Sequence, residues 1–451
     1  MKKGGKKTKE KAWVVAVNMG YGHQRAAHPL NYLAAGGEVQ VANNYPGIPQ
    51  ADRRIWKESR RFYEYISRFK NIPVLGHWAF EIYDRFQAIP QFYPRRDLSK
   101  PNFPLKQIYR LIDKEQWGKH LIDKLAKRPL PLITTFFVPA FMAEVHHYPG
   151  DIYCVATDTD ISRTWAPLRP NQSRIKYFAP NYRVAQRLEL YGVSKDNIFL
   201  TGFPLPRENI GGLAMTTLRR DVIQRLANLD PKRKFCDRYQ VLVRGHLKAE
   251  KVPEKSNHLL TLMFAVGGAA AQKEIGATIL HSLKNDIAQK RIRIILVAGI
   301  HNSVSTYFRN IVRAAGLGTQ LGKEVEIIFS TNKQDYFNKF DAALRTTDIL
   351  WTKPSELSFY CALGIPIVIA PPIGSQEIFN RTWLRTIGAG ASQYPPRYTN
   401  EWLFDWVESG WFAEAVMEGF IEAPKFGTYN IEKILDGKLE EVRKVVMTLQ
   451  Y

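Results

Sequence analysis

ILWTKPSELSFYCALGIPIVIAPPIGSQEIFN, residues 349–380, is the most informative segment of this chain about its fold. It predicts an apolar strand, a polar turn, a short helix and a second apolar strand, followed by the polar loop 374–377. In an open parallel sheet, such loops lie at the carboxyl ends of the strands, where ligands bind. The stretch therefore predicts one strand–helix–strand unit with a ligand site at its edge.

The same alternation of strands and helices continues on both sides of this stretch. Apolar strands are predicted at 262–266, 292–298 and 325–330, with helices near 303–315 and 333–345. The first half of the chain repeats the pattern, with strands at 12–18, 39–44, 132–137, 151–157, 175–179 and 197–201, and Asn181 is predicted to cap a helix that stops at Gly192. The pattern predicts an α/β fold with two Rossmann-like domains in tandem.

Composition places the boundaries of these domains. Residues 207–258 are charged and poorly periodic, so we interpret them as a linker with an insertion. The resulting division is a basic flexible arm at 1–11, an N-terminal Rossmann-like domain at 12–206 with an aromatic and basic helical insertion at 50–128, a C-terminal Rossmann-like domain at 259–395, and helices at 396–451.

The chain is strongly basic. Its 64 Lys and Arg residues against 42 Asp and Glu residues give a formal net charge of +22 at pH 7, which favours anionic partners such as phosphates, acidic lipids or nucleic acid. Nucleic acid is not expected, because no motif that reads it accompanies the charge. The arm 1–11 is interpreted either as an electrostatic attachment to an anionic membrane or as a solubilising tail.

Cysteine usage indicates the compartment. Cys154, Cys236 and Cys361 are isolated, odd in number and without metal-ligand spacing, which favours a reducing environment and a cytoplasmic protein. No run approaches the roughly 20 apolar residues that span a bilayer. A peripheral position on the inner face of the membrane is consistent with both observations.

A glycine-containing loop, Gly20, Tyr21, Gly22 and His23, follows the first predicted strand and opens a helix. Glycines there let main-chain N–H groups approach an oxyanion or a diphosphate. His23 is a candidate base or phosphate ligand, or a residue that only fills the turn. The loop lacks the spacing of a GxGxxG motif with a later acidic residue, which argues against a nicotinamide enzyme.

Two further loops follow predicted strands. Asp158, Thr159 and Asp160 superficially match an acidic metal-binding motif of other sugar transferases, although both acids also suit the cap of a turn. A carboxylate at a strand end can take a proton from a hydroxyl, so Asp158 is the leading candidate base. Gly267, Gly268 and Ala269 allow either the close approach of a pyrophosphate or tight packing of a helix on its strand.

The order of these motifs resembles a known family. Residues 20–23 are similar to its glycine-rich loop ending in histidine, and 155–204 to its stretch with a Thr-Asp, a Trp and a closing Thr-Gly-aliphatic-Pro. Residues 352–354 and 364–366 resemble its donor-nucleotide motif, and Gln376 and Glu377 with Asn380 resemble its sugar-binding turn. The chain thus resembles the inverting glycosyltransferases of the GT-B fold, especially monogalactosyldiacylglycerol synthases, processive diacylglycerol glucosyltransferases and the lipid-linked N-acetylglucosaminyltransferase of peptidoglycan synthesis.

This resemblance implies a GT-B-like chain whose two Rossmann-like domains face across a cleft, with the helices at 396–451 packing back toward the N-terminal domain. It implies transfer of a sugar from a nucleotide-diphosphate donor, expected to be a UDP-sugar, to a lipid hydroxyl with inversion, without metal or cofactor. Asp158 or His23 would be the base. The implied donor-binding residues are Gly267, Gly268, Ala269, Lys353, Pro354, Ser355, Glu356, Gln376, Glu377 and Asn380, and the implied acceptor or phosphate loop comprises Gly20, Tyr21, Gly22, Arg163 and Trp165.

Several positions depart from the family pattern. Arg163 stands where lipid glycosyltransferases often have His, and the loop 355–363 is shorter than in the commoner pattern. Cys361 falls where an acidic residue usually grips the uridine ribose, with Glu356 as a substitute. A nucleotide-sugar epimerase or hydrolase of the same fold, and a non-catalytic nucleotide-sugar-binding relative, are therefore the alternative functions.

Overall fold

The computed structural model describes residues 11–58, 88–265 and 272–442. Nearly all of the arm 1–11, the middle of the insertion 50–128, and Gly267, Gly268 and Ala269 lie outside the described residues.

The chain divides into two compact units. One comprises Met1–Pro204, Ile373–Phe379 and Phe426–Tyr451, and the other comprises Leu205–Pro372 and Asn380–Lys425. The sequence analysis had predicted domain boundaries near residues 206 and 396.

The first unit is built on a six-stranded parallel sheet with the strand order β2-β1-β3-β4-β5-β6. The chain runs from β1 to β2 on one side and returns to β3 on the other, so a topological switch point lies between β1 and β3. The strands are β1 (Trp13–Ala16), β2 (Gln40–Val41), β3 (Leu132–Thr134), β4 (Ile152–Val155), β5 (Lys176–Ala179) and β6 (Ile198–Leu200).

Both faces of this sheet are covered. Val15 of β1 belongs to one buried apolar cluster and its neighbours Val14 and Ala16 to another, because side chains alternate along a strand. Asn181 caps a helix by accepting a hydrogen bond from the Val184 N–H at 2.9 Å, as predicted. The described helices include Gly22–Ala27, Phe103–Lys114, Lys119–Ala126, Phe137–Val145, Tyr182–Leu190 and Gly427–Leu435.

The second unit also contains a six-stranded parallel sheet, with the order β12-β11-β10-β7-β8-β9. Renumbered from β7, this is the 3-2-1-4-5-6 order of the dinucleotide-binding fold. Its strands are β7 (Thr261–Ala265), β8 (Arg293–Gly299), β9 (Val325–Phe329), β10 (Ile349–Thr352), β11 (Ile367–Ile369) and β12 (Gly390–Ser392). The structure confirms the prediction of an α/β chain with two Rossmann-like units. A GT-B-like fold is built from two such units.

Helices cover the second sheet, and further helices lie in the sequence between the first unit and β7. The polar turn in the opening stretch leads into the 3-10 helix Glu356–Leu363. The α-helices are Arg207–Ile210, Thr216–Leu229, Lys234–Arg238, Gln240–Leu247, Lys273–Ser282, Lys284–Ala288, Asn302–Ala314, Lys333–Ala343, Thr399–Ser409 and Trp411–Glu422, and Ser375–Thr386 is shared between the units.

The helix Thr216–Leu229 shows why 207–258 looked like a linker. Its buried face includes Asp221 and Arg225, which interrupt the apolar period. Arg225 donates hydrogen bonds to the carbonyls of Leu344, Thr347 and Leu363 at 2.6–2.8 Å, so it joins this helix to the segments before and after β10. The helix is therefore part of the core of the second unit.

Within 11–58, 88–265 and 272–442, we find no helix that is both long and apolar enough to cross a membrane.

Candidate functional site

The switch point of the first unit holds His23 in a defined orientation. The His23 Nδ1 lies 2.8 Å from the Thr135 carbonyl oxygen, just after β3. A carbonyl only accepts hydrogen bonds, so Nδ1 carries the proton and Nε2 carries the lone pair of the neutral ring. The Thr135 hydroxyl donates in return to the His23 carbonyl at 2.7 Å. This pair of contacts fixes the ring with Nε2 as its basic nitrogen.

Side chains from the segments that follow β3 and β4 contact this ring. The centroid of the Phe136 ring lies 4.6 Å from that of His23, and the centroid of Trp165 lies 6.3 Å away. The Thr157 hydroxyl after β4 is 3.4 Å from Nδ1. Asp158, the next residue, is partly exposed. The structure thus brings His23 and Trp165 together and places the loop that carries Asp158 beside them.

The glycine-containing loop approaches the switch point from β1. Gly20 has φ +107°, a backbone conformation that residues with side chains rarely adopt. Tyr21 is buried, and Gly22 starts the helix that carries His23. The conformation at Gly20 turns the chain from the strand into this helix.

Asp160 is engaged in a structural ion pair. Its two carboxylate oxygens each accept a hydrogen bond from the Arg187 guanidinium at 2.8 Å, and both side chains are buried. Oδ1 also accepts from the Ile161 N–H at 2.9 Å. The described ranges contain no group of three or more His, Cys, Asp or Glu side chains that could hold a metal ion. The Asp160 carboxylate is therefore committed to Arg187 and to the main chain of its own loop.

Arg163 also has a structural role. Its guanidinium donates to the main-chain carbonyls of Ser99, Ala166 and Pro167 at 2.6–3.0 Å, and the side chain is buried. These contacts tie the loop after β4 to residues 97–100. The expectation that Arg163 binds a phosphate or the acceptor is corrected accordingly, since its donors face the protein interior.

The second unit has its own switch point, between β7 and β10. Strand β7 leads to the predicted glycine loop, and β10 leads to Lys353, Pro354, Ser355 and Glu356. The Thr352 hydroxyl donates to the Ala265 carbonyl at 3.2 Å, which joins the carboxyl ends of these two strands. Lys353, Ser355 and Glu356 are partly exposed there. The predicted donor residues thus follow the two strands at which ligands bind in this topology.

Asn380, a predicted donor-site residue, and Cys361, which stands where the family has an acidic residue, are both inaccessible to solvent. Asn380 is fully buried, and its amide donates to the Pro354 carbonyl at 3.2 Å, so it positions the loop after β10. Cys361 is also fully buried, and burial raises the pKa of its thiol. Neither side chain is placed to contact a sugar or a ribose from solvent, which corrects the direct role expected of Asn380.

Gln376 and Glu377 remain partly exposed at the start of the helix Ser375–Thr386. One carboxylate oxygen of Glu377 accepts from the Ile373 N–H at 2.7 Å, so this residue also shapes its own loop. Both residues belong to the first compact unit, whereas Asn380 belongs to the second.

Sequence reasoning missed three residues at these two sheet edges. Thr135 and Phe136 hold the His23 ring, and His301 follows β8, the neighbour of β7, before the helix Asn302–Ala314. Only His301 follows a predicted strand, 292–298; Thr135 and Phe136 fall inside the predicted strand 132–137, which in the structure ends at Thr134. The contact from Thr135 is made by its carbonyl oxygen, which carries no residue-specific signal.

The chain was compared with protein families and with curated proteins. Residues 249–430 match a family described as a domain of unknown function, DUF6938. No curated protein matches the chain significantly.

Several solved structures are similar in shape. UDP-GlcNAc 2-epimerase from Neisseria meningitidis, bound to UDP-GlcNAc, is 13% identical with a TM-score of 0.43 over 77% of this chain and 84% of that one. A glycosyltransferase from Rickettsia africae is 14% identical with a TM-score of 0.40 over 97% and 99%. MurG from Acinetobacter baumannii is 11% identical with a TM-score of 0.43 over 95% and 99%. We assign no activity to this chain from these likenesses.

Proposed function

We propose that this chain is a glycosyltransferase that moves a sugar from a nucleotide-diphosphate donor, a UDP-sugar, to the hydroxyl of a lipid, with inversion and without a metal ion. The observation that carries the proposal is the His23 imidazole, whose Nδ1 is held by the Thr135 carbonyl at 2.8 Å. This contact defines Nε2 as a base at the sheet edge where α/β proteins bind ligands.

The proposed reaction is a single displacement. The acceptor hydroxyl gives its proton to His23 Nε2, and its oxygen attacks the anomeric carbon from the face opposite the diphosphate. The bond between that carbon and the diphosphate oxygen breaks, and the nucleoside diphosphate leaves with the electron pair. Asp158, in the loop after β4, is the alternative base, and it would otherwise stabilise the imidazolium ion that forms.

Binding of the donor's nucleotide and diphosphate is assigned to the second unit. Its strand order is that of dinucleotide-binding sheets, and Lys353 follows a strand at the switch point. A lysine there would stabilise the negative charge that grows on the departing diphosphate. Gly267, Gly268 and Ala269 are proposed to offer main-chain N–H groups to the same diphosphate, and Gln376 and Glu377 to contact the sugar.

Nucleotide binding gives a direct test. We expect UDP to raise the melting temperature of the protein, and Lys353→Ala to weaken UDP binding about tenfold because one charge-assisted contact is lost. Titration calorimetry with UDP measures the affinity. Lys323→Ala is the matched control, because this exposed lysine lies just before β9, at the amino ends of the strands.

The same preparation separates the alternative functions. Absence of stabilisation by any nucleoside diphosphate would exclude the donor site. Conversion of the UDP-sugar in the absence of any acceptor would identify an epimerase or a hydrolase, and binding without turnover would identify a nucleotide-sugar-binding protein. Transfer requires that product formation depend on the acceptor.

A lipid acceptor is supported by an aromatic and basic surface on the first unit. Tyr93 and Tyr182 are 64% and 46% exposed. Arg95 and Arg96 are exposed beside them, and Arg183 is partly exposed, with its guanidinium 3.9 Å from the centroid of the Phe92 ring. Tyrosine and arginine side chains of this kind suit the headgroup region of an anionic membrane. We propose that this surface lies against the inner face of the membrane in the cytoplasm.

Sedimentation with phosphatidylglycerol vesicles tests this surface. Tyr93→Ser combined with Arg95→Ser should lower vesicle binding about tenfold, since an exposed aromatic ring and one cation no longer contribute. Transfer to the same lipid in detergent micelles should stay unchanged. Vesicle binding equal to that of the wild type would remove the surface from the proposal.

A further inference from the structure

The helix Gln240–Leu247 in the second unit presents apolar side chains to solvent. It buries Val243 and Leu247 but leaves Val241 87% exposed and Leu242 39% exposed, and the preceding Tyr239 is 40% exposed. Single exposed apolar residues are ordinary on protein surfaces. Three of them within four positions form a local apolar tip, for which water is a poor environment.

Basic side chains surround this tip. Arg238, Arg244 and Lys248 are exposed, and the Arg238 guanidinium lies 5.5 Å from the centroid of the Tyr239 ring. The acidic residue of this segment, Asp237, lies 2.9 Å from Arg233 and is thus neutralised. The tip and its rim therefore carry a net positive charge.

A neighbouring loop extends the apolar tip. Arg219 donates to the carbonyls of Ala214 and His246 at 2.7 Å and 3.2 Å. These bonds bring the loop that contains Leu213, which is 56% exposed, alongside the end of the helix. We call the combined surface the helix 240–247 surface; it consists of Leu213, Arg238, Tyr239, Val241, Leu242, Arg244 and Lys248.

The surface is held rigidly from below. Asp230 accepts hydrogen bonds from the N–H groups of Phe235 and Cys236 at 3.3 Å and 2.7 Å, which fixes the start of the preceding short helix. Val243 and Leu247 anchor the helix 240–247 in the interior of the unit. The exposed positions can therefore be substituted without loss of core contacts.

We propose that the helix 240–247 surface docks on the surface of an anionic lipid bilayer. Val241, Leu242 and Leu213 would enter the boundary between headgroups and acyl chains, while the basic side chains remain among the phosphates. Nucleic acid fits less well, because Leu213, Val241 and Leu242 have no planar face to stack on bases and Tyr239 is the one aromatic ring of this surface. Docking of this surface does not depend on the proposed transfer reaction. The surface is distant in sequence from the residues of both candidate sites, and no catalytic role is proposed for it.

Site-specific fluorescence tests the insertion directly. The native Cys154, Cys236 and Cys361 are buried, and burial raises the pKa of each thiol, so Val241→Cys can be labelled selectively with an environment-sensitive dye. Phosphatidylglycerol vesicles should increase the emission several-fold and shift it to the blue, whereas phosphatidylcholine vesicles should not. Tyr398→Cys is the matched control, because Tyr398 is 45% exposed beside Arg397 in the same unit.

Removal of the rim charges tests the electrostatic part. Replacing Arg238, Arg244 and Lys248 by glutamine should lower partition into phosphatidylglycerol vesicles roughly 100-fold at low salt. The reason is that the attraction of three basic residues to the anionic membrane is lost. The melting temperature should not change. Unaltered partition, or no emission change at position 241, would overturn the proposal, as would an emission change produced by an acidic protein or by DNA but not by vesicles. Transfer in detergent micelles should persist in all these variants, so a failure here is distinct from a failure of the proposed reaction.

Discussion

Replacing His23 by alanine should lower the turnover number for sugar transfer about 10²- to 10⁴-fold, the range in which a positioned general base contributes. The ring is held by the Thr135 carbonyl and contacts the Phe136 ring and the Thr157 hydroxyl, so its alanine variant removes the oriented nitrogen base. The assay is the release of UDP from a UDP-sugar with diacylglycerol in detergent micelles. KM for the donor should change little, because its nucleotide and diphosphate are assigned to the second unit.

The two candidate bases can be separated in the same assay. If His23 is the base, Asp158→Asn should reduce the rate less than His23→Ala and should leave the acid limb of the pH–rate profile in place. His147→Ala is the control, since His147 is exposed and belongs to no candidate site. Full turnover in both His23→Ala and Asp158→Asn would eliminate the proposed base chemistry.

Replacing Asp160 by alanine should destabilise the protein by about 3–5 kcal/mol, because the buried Arg187 guanidinium would lose its carboxylate partner. The pair makes two hydrogen bonds of 2.8 Å and both side chains are buried. Removal of one partner from such a pair lowers the free energy of unfolding strongly. Urea denaturation measures the free energy of unfolding. Asp158→Ala should cost about 1 kcal/mol or less, since Asp158 is partly exposed.

The same variant decides between an ion pair and a metal ligand. Addition of Mn²⁺ or Mg²⁺ should stabilise neither the wild type nor Asp160→Ala if the carboxylate serves only Arg187. An Asp160→Ala protein as stable as the wild type, with turnover that had depended on a divalent cation, would restore the metal-binding interpretation.

The strands and the sheet edges of this protein were predictable from sequence because they depend on local signals. Buried parallel strands are short apolar runs, and a polar or small residue follows where each run ends. His23 and Lys353 were found in this way, since each follows a strand at a point where the chain reverses the order of the sheet. The side-chain cap at Asn181 is equally local, spanning three residues.

Other elements escaped sequence analysis because their signals are weak or mixed. Gly390–Ser392 has little intrinsic strand preference and becomes β12 by pairing with β11. A side chain at Gly390 would lie 2.9 Å from the Ile367 carbonyl oxygen, so close pairing requires glycine there. The helix Thr216–Leu229 was missed because a buried arginine and a buried aspartate look like solvent-exposed residues in a sequence.

Local sequence signals were enough to specify two parallel α/β units and the loops at the carboxyl ends of their strands, because strand period and strand ends are encoded by neighbouring residues. The roles of the polar side chains in those loops became clear from the three-dimensional contacts. Asp160 pairs with Arg187, Arg163 serves main-chain carbonyls and Asn380 holds Pro354, whereas His23 is oriented by Thr135. Whether a polar group satisfies the interior or faces a ligand depends on partners distant in sequence, and only folding brings those partners together.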